Sequence, residues 1–153
     1  MSDLELSVRP MVLADAEQVA VLVGQLGYQR SLEDVRRWIE ALGSEGERQA
    51  AFVACLGEEV VGWIEVSIQR HLQTAPSALI GGLVVKDGVR GKRIGRRLCE
   101  QAETWGWRQG LDAVRVTSRS TREDAHRFYL QNGYSRVKTS EVFEKSCPAD
   151  TKE

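Results

Sequence analysis

Apolar positions along this chain recur at helical spacing in some stretches and alternate with polar ones in others, and the two periods alone outline the elements. Leu4 to Arg9 alternates and reads as a first strand before Pro10. Asp15 stands where a helix cap belongs, ahead of Val19, Leu22, Val23 and Leu26 at helical spacing, with Gly27 as the stop. Ser31 and Asp34 have the spacing of a capping box. They open a second helix with Leu32, Val35, Trp38, Ile39 and Leu42 on one face, closed by Gly43, and Ser44 to Arg48 follows as a polar loop. Ala51 to Leu56 and Val60 to Ile68 flank a Gly57-Glu58-Glu59 turn and predict a hairpin.

Within that second strand, Trp63, Glu65 and Ser67 share one face and Ile64, Val66 and Ile68 the other. Gln69 to Ser77, containing Pro76, reads as a turn region, and Ala78 to Val85 as a central strand apolar on both faces except at Gly81 and Gly82. Lys86 to Lys92 is a glycine-bearing loop. The helix from Ile94 carries Leu98, Ala102 and Trp105 and ends near Gly110. Ala113 to Thr117 predicts another strand, Ser118 to Arg122 a polar loop, and Asp124 to Gln131 a short helix stopped by Asn132-Gly133. Two last strands are expected near Tyr134 to Lys138 and Glu141 to Lys145. With no repeat and no linker, the pattern predicts a single mixed α/β domain over residues 1–147 and a frayed tail at 148–153.

Composition narrows the function classes. A chain of 153 residues with 42% hydrophobic and 28% charged positions can bury a real core. Its formal net charge of −1 gives no global attraction to nucleic acid, so any electrostatic recognition has to be local. Cys55, Cys99 and Cys147 form no CxxC pair, and with only His71 and His126 beside them they point neither to a disulfide framework nor to a metal site. The opening MSDLELSVRP lacks the pattern of a signal peptide, and the longest apolar run, Leu79 to Val85, is too short to span a bilayer. A cytoplasmic protein, with no membrane and no metal, is the expectation.

The local charge sits in one place. Arg90, Lys92, Arg93, Arg96 and Arg97 crowd the first turns of the helix that follows the central strand. Cations there oppose the helix macrodipole, by about 0.3–1 kcal/mol each at exposed sites. A bound polyphosphate would offset that cost, and a strand–loop–helix junction offers unpaired N–H groups to hold one. Gly91 and Gly95 permit close backbone approach. The spacing fits neither GxxxxGK[ST] nor GxGxxG. An exposed helix face that is basic without a ligand is the alternative reading of these residues taken alone.

The stretch Arg90-Gly91-Lys92-Arg93-Ile94-Gly95 resembles the pyrophosphate loop of the GCN5-related N-acetyltransferase (GNAT) family, Gln/Arg-x-x-Gly-x-Gly/Ala, with Arg93 standing at the middle glycine. Downstream, Ala125-His126-Arg127-Phe128-Tyr129-Leu130-Gln131-Asn132-Gly133-Tyr134 is similar to that family's second signature, A-x-x-F-Y-x-x-x-G-F/Y. The resemblance covers roughly Glu59 to Lys145. It implies the family's fold, with splayed central strands and helices on both faces, and acetyl-CoA as co-substrate. The amides from Arg90 to Gly95, Lys92, Arg93 and Ile94 among them, would hold the pyrophosphate, with Arg96 nearby. Leu83, Val84 and Val85 would pair with the pantetheine arm like an added strand.

Arg122 occupies the position of a frequent asparagine and could meet a phosphate. The resemblance also implies that Tyr129 protonates the departing thiolate. A tyrosine half-buried against the sheet is the structural alternative.

Amine attack needs a proton acceptor, and Glu65, set in an apolar strand beside Trp63, is the first candidate; a solvent-facing carboxylate is the competing reading. His71 is a weaker one, and His126 reads as a surface helix residue. Tyr28 and Trp63 are candidate walls for the acceptor, and Glu65 suits a small cationic amine of aminoglycoside, polyamine or amino-acid type. A protein N-terminus or lysine stays open as acceptor. Direct transfer in a ternary complex is the simplest scheme. A non-catalytic acyl-CoA sensor is the main alternative, and a nucleic-acid patch a distant third, since one basic helix start carries no stacking motif. The oligomeric state is open, a homodimer being the family-level expectation.

Overall fold

The structure, a computed structural model, describes residues 5–44, 48–89, 93–118 and 123–149. It forms two compact units, Met1–Thr117 and Ser118–Glu153.

The first unit is built on a five-stranded sheet in the order β1 (Leu6–Pro10), β2 (Gln49–Leu56), β3 (Glu59–His71), β4 (Thr74–Val85) and β5 (Val114–Val116). The first three pairings are antiparallel and β4–β5 is parallel. α1 (Ala16–Gln25) and α2 (Leu32–Ser44) connect β1 to β2, and α3 (Ile94–Arg108) is the crossover between β4 and β5. Parallel neighbours need such a crossover, whereas the antiparallel ones need only tight turns.

Strand periodicity sends neighbouring residues to opposite layers. Val53, Val60, Trp63 and Val84 meet Val19 and Leu22 of α1 and Val35 and Ile39 of α2 in one core. Gly62 faces α3 instead. A Cβ there would stand 3.1 Å from Leu98 Cδ1, 3.2 Å from Ile94 Cγ2 and 2.9 Å from the Val84 carbonyl, so only glycine lets α3 approach this closely. Each large apolar side chain buried in these layers contributes about 1.5–3 kcal/mol.

Helix boundaries follow the predicted signals at several ends. Ser31 and Asp34 make the reciprocal capping box, with the Asp34 N–H donating to Ser31 Oγ at 3.0 Å and the Ser31 N–H to Asp34 Oδ2 at 3.2 Å. Gly27 ends α1 at φ 103°, a left-handed conformation that glycine adopts without a Cβ penalty.

Asp15 departs from expectation. It stands at the start of α1 but makes no side-chain cap bond to that helix; it closes a capping box on the turn just before it, Leu13–Asp15. Its carboxylate, 3% exposed at the residue level, accepts hydrogen bonds from both Arg9 terminal nitrogens at 2.7 and 2.8 Å and from the Val12 N–H at 2.8 Å. Burial alone would raise its pKa, yet the Arg9 guanidinium and the Val12 N–H together hold it below the ordinary value.

The segment from Gln69 to Ser77, expected as a turn region, continues the β3–β4 hairpin almost to its tip, and the turn is only Leu72 and Gln73. His71 pairs with Thr74 and Gln69 with Ser77, leaving Ala75 and Pro76 opposite Arg70. Proline is tolerated in such an irregularity because no ladder N–H is needed there. Cys55 and Cys99 are buried and Cys147 is exposed.

The second unit contains α4 (Glu123–Gln131), stopped by Gly133 at φ 90°, with the Tyr134 N–H bonded to the Tyr129 carbonyl at 3.0 Å. The two last strands expected near 134–138 and 141–145 are not formed, and residues 134–148 carry no helix or strand. A strand has to share its backbone hydrogen bonds with a neighbour, and the described residues of this unit form none. Val142 and Phe143, 91% and 88% exposed, are left outside any core. Most of the expected frayed tail lies outside the described residues.

Candidate active site

Glu65 and Trp63 project from β3 on the α1/α2 side, as their alternation predicts. Trp63 is 9% exposed, and its indole Nε1 is buried without a hydrogen-bond partner. Glu65 is half-buried, and Gln49 Nε2 donates to its Oε2 at 3.3 Å. Burial pushes the Glu65 carboxyl above its ordinary value, opposed only by the Gln49 bond. A carboxyl group displaced upward in this way is better suited to accept and release a proton near neutral pH.

Two glycines make this arrangement possible. A Cβ on Gly82 would stand 2.8 Å from Trp63 Cη2, and one on Gly81 would overlap Glu65 Oε1 and lie 2.9 Å from its Cδ. Gly81 and Gly82, exceptions in an otherwise apolar run, are thus the floor on which the two side chains lie. At the same point the ladder slips. Glu65 pairs with Gly82 and Val66 with Ile80, so Gly81 is the extra residue of a bulge.

The edge of β4 beyond that bulge is open. β5 pairs only with Ala78, Leu79 and Ile80, and no described strand continues along Gly81 to Val85. The Lys86 N–H bonds to the Val61 carbonyl at 2.8 Å. Antiparallel geometry therefore turns the backbone groups of Val84 and Gly82 toward β3, and those of Leu83 and Val85 toward the open edge. An extended ligand chain can add there as a strand would.

At the start of α3, Arg93 stands in the left-handed region at φ 59° and ψ 26°, the only non-glycine residue with positive φ among those described. The position where the family pattern has glycine is thus one whose backbone favours it. α3 has no acidic residue in its first turn, and its leading N–H groups have no acceptor within the helix. Ile94 is buried in the core, so only its backbone is available to a ligand.

Two of the nearby arginines have other duties. Arg97 donates to the Leu6 carbonyl at 3.1 Å, and Arg96 approaches Glu100 at 4.0 Å. Gly95 is half-buried. Arg90, Gly91, Lys92 and Arg122 lie outside the described residues.

In the second unit Tyr129 is half-buried and packs edge-on against Phe128 and Tyr134, with ring centroids 5.2 and 5.7 Å apart. Tyr28 is exposed beyond the end of α1, and His71 is exposed at the tip of the β3–β4 hairpin. His126 is half-buried on α4 rather than fully at the surface. A shallow cavity of about 380 Å³ between Phe52, Trp105 and Arg108 contains none of the residues singled out from the sequence. Gln49 is not among those residues either. A glutamine ahead of a strand carries no signal until the register brings it beside Glu65.

Comparison with known proteins shows the family. The family model described as "Acetyltransferase (GNAT) family" matches residues 15–134, across both units. An aminoalkylphosphonate N-acetyltransferase of Salmonella typhimurium is 40% identical over 77 residues, which is 50% of this chain and 50% of that protein. Among solved structures, the aminoglycoside N-acetyltransferase AAC(6′)-Iy in complex with coenzyme A superposes with a TM-score of 0.85 at 16% identity, covering 96% of this chain and 98% of the other. A transcriptional regulator from Bacillus halodurans superposes with a TM-score of 0.80 at 25% identity, covering 92% and 100%. The resemblance first read from Arg90 to Gly95 and Ala125 to Tyr134 therefore extends over most of the chain, which belongs to the acetyltransferase (GNAT) family.

Proposed function

We propose that this protein is an N-acetyltransferase that moves an acetyl group from acetyl-CoA to a primary amine by direct attack in a ternary complex. One observation carries the reading: Glu65 lies half-buried on a glycine floor in the strand next to an open backbone edge. A proton acceptor on that face would stand beside the edge where an extended thioester arm can add.

Glu65 takes a proton from the substrate ammonium, either directly or through a water molecule. The freed amine nitrogen forms a bond to the thioester carbonyl carbon while the carbon–sulfur bond breaks. Tyr129 delivers a proton to the departing sulfur, and the second proton, lost from the nitrogen as the amide forms, returns through water to restore the phenol. Leu83 and Val85 present the β4 edge to the pantetheine arm, while Val84 between them turns its backbone groups to β3. The Arg90 to Gly95 amides, with Lys92, Arg93 and Arg96, hold the pyrophosphate, and Arg122 meets a further phosphate.

Trp63 and Tyr28 bound the acceptor, a small cationic amine of aminoglycoside, polyamine or amino-acid type. The aminoalkylphosphonate enzyme from Salmonella, by its name, also acts on a small amine. Acetyl-CoA and the amine need no metal between them. A cytoplasmic location is part of the proposal; no described helix is long and apolar enough to cross a membrane.

The test is thiol release from acetyl-CoA across a panel of such amines, with calorimetric titration of coenzyme A alongside. Turnover with at least one amine, and a Tyr129→Phe variant slowed about 10²-fold or more with unchanged coenzyme affinity, is the expected result. Tight coenzyme binding without turnover on any amine would favour the sensor alternative, and no binding would remove the coenzyme reading altogether.

A further inference from the structure

The end of β4 is held by a side chain from another element. Gln25, the last residue of α1, donates from Nε2 to the Val85 carbonyl at 2.7 Å and accepts the Asp87 N–H on Oε1 at 2.9 Å. Bonding to the carbonyl of one residue and the N–H of the residue two further on is the pattern of a parallel strand neighbour facing the residue between them, here Lys86. The primary amide thus stands in for one residue of an added strand. It does so on the open edge, because Lys86 itself turns its N–H the other way, to Val61.

From this geometry we infer that Gln25 is a positioning residue for the coenzyme: its amide closes the open edge of β4 just past Val85 and fixes where the phosphate-binding loop departs. The inference rests on the coenzyme reading of that edge. With Gln25 in place, an incoming extended arm finds the outward groups of Leu83 and the Val85 N–H free to pair. The Val85 carbonyl and the Asp87 N–H are already taken. The arm's hydrogen-bonded register therefore ends at Val85, and whatever follows it has to turn toward the start of α3.

Pinning Val85 and Asp87 also removes freedom from the chain leading into the loop, so less ordering remains to be done on binding. Because Gln25 closes α1, it connects the helix that leads to Tyr28 with the edge that receives the coenzyme.

A second glutamine of α1 provides the control. Gln18 Oε1 accepts the Val60 N–H at 2.9 Å, another tie from α1 to the sheet, but at the start of β3 and not on the open edge. The experiment measures coenzyme A affinity by calorimetry, the KM for acetyl-CoA and for the amine, and thermal stability, for wild type, Gln25→Leu, Gln25→Glu and Gln18→Leu. Gln25→Leu loses two hydrogen bonds and should weaken coenzyme A binding about tenfold. Its KM for acetyl-CoA should rise in step while the KM for the amine stays within about twofold of wild type. Gln25→Glu keeps the acceptor for Asp87 and loses the donor for Val85, so its affinity should fall between those of wild type and Gln25→Leu.

Gln18→Leu should lower thermal stability without changing coenzyme affinity. Wild-type affinity in Gln25→Leu would overturn the inference. So would an affinity loss in Gln18→Leu equal to that in Gln25→Leu, which would reduce both residues to general supports of α1. If wild type itself bound no coenzyme A, the coenzyme reading would fall first, and the two failures are thus distinguishable.

Discussion

Replacing Gly81 by alanine puts a methyl group where the carboxyl of Glu65 lies, while the same change at Gly82 puts it against the ring of Trp63. The two positions are adjacent, neither has positive φ, and the substitution is chemically identical. Only the neighbour differs. At Gly81 the Cβ overlaps Glu65 Oε1 and stands 2.9 Å from Cδ, the far end of a flexible side chain. Reaching ordinary contact at 3.4 Å or more means a carboxyl retreat of about 1 Å, and a misplacement of that size can cost about 10²-fold in rate.

Stability should hardly change at Gly81, because the carboxyl can turn toward solvent and alanine restricts the unfolded chain slightly, an effect of about 0.4–1 kcal/mol. At Gly82 the methyl group meets Trp63 Cη2 at 2.8 Å and Cζ3 at 2.9 Å. That ring is packed in the α1/α2 core and has nowhere to retreat, so overpacking should cost about 1–3 kcal/mol.

Thermal unfolding and initial rates of thiol release at saturating acetyl-CoA separate the two effects. Gly81→Ala should melt like wild type and turn over about 10²-fold more slowly, and Gly82→Ala should lose stability. A fully active Gly81→Ala enzyme would show that the position of the Glu65 carboxyl does not matter to the reaction. Equal destabilisation of the two variants would refute the steric argument itself.

Two further changes probe the same machinery. Burial raises the pKa of Glu65 above its ordinary 4.5, so the folded state holds its proton more tightly than the unfolded chain. The stability this gives is complete below pH 4.5 and is lost as pH rises through the raised value. Glu65→Gln should therefore melt like wild type in acid and above it at pH 8, with turnover reduced about 10²–10⁴-fold; a melting difference independent of pH would contradict the assignment. Arg93→Gly relieves a left-handed residue at φ 59° and should stabilise the fold by about 1 kcal/mol, while coenzyme A affinity falls because a cation is lost; rising affinity would mean that the guanidinium only obstructs the site.

Elements whose partners lie close in sequence, or whose burial imposes a period, are legible without the structure. α1, α2 and α3 follow their apolar stripes, the β2–β3 hairpin turns at Gly57, and the Ser31–Asp34 box forms as spaced. The β3–β4 hairpin reads too short because Arg70, His71 and Gln73 are polar and exposed. Cross-strand backbone bonds hold that tip, and these leave no mark on side-chain pattern. The converse error falls on residues 134–145, where Val137, Val142 and Phe143 suggest strands that have no neighbour among the described residues of their unit. Asp15 reads as a cap from its position, whereas its partner Arg9 comes from the strand before it. Gln25 and Gln49 are invisible for the same reason, since each is an ordinary polar residue until its partner, 60 or 16 positions away, is brought alongside.

The bulge at Gly81 explains why the proposed proton acceptor and the open edge occur together. Below it, β4 spends its outer backbone groups on β5 through Ala78 to Ile80. Above it, no described strand takes them. An inserted residue bends its strand and increases the local twist, and the pairing of β4 with its three-residue parallel neighbour ends just before that residue. The same inserted residue, having no Cβ, leaves the volume that the Glu65 carboxyl fills. A regular ladder with alanine at this position would lack both the interruption next to the β4–β5 pairing and the seat for the carboxylate. One glycine thus couples the chemistry proposed for the sheet face to the binding surface proposed for its edge, and a variant that restores regular pairing here should lose coenzyme affinity and turnover together.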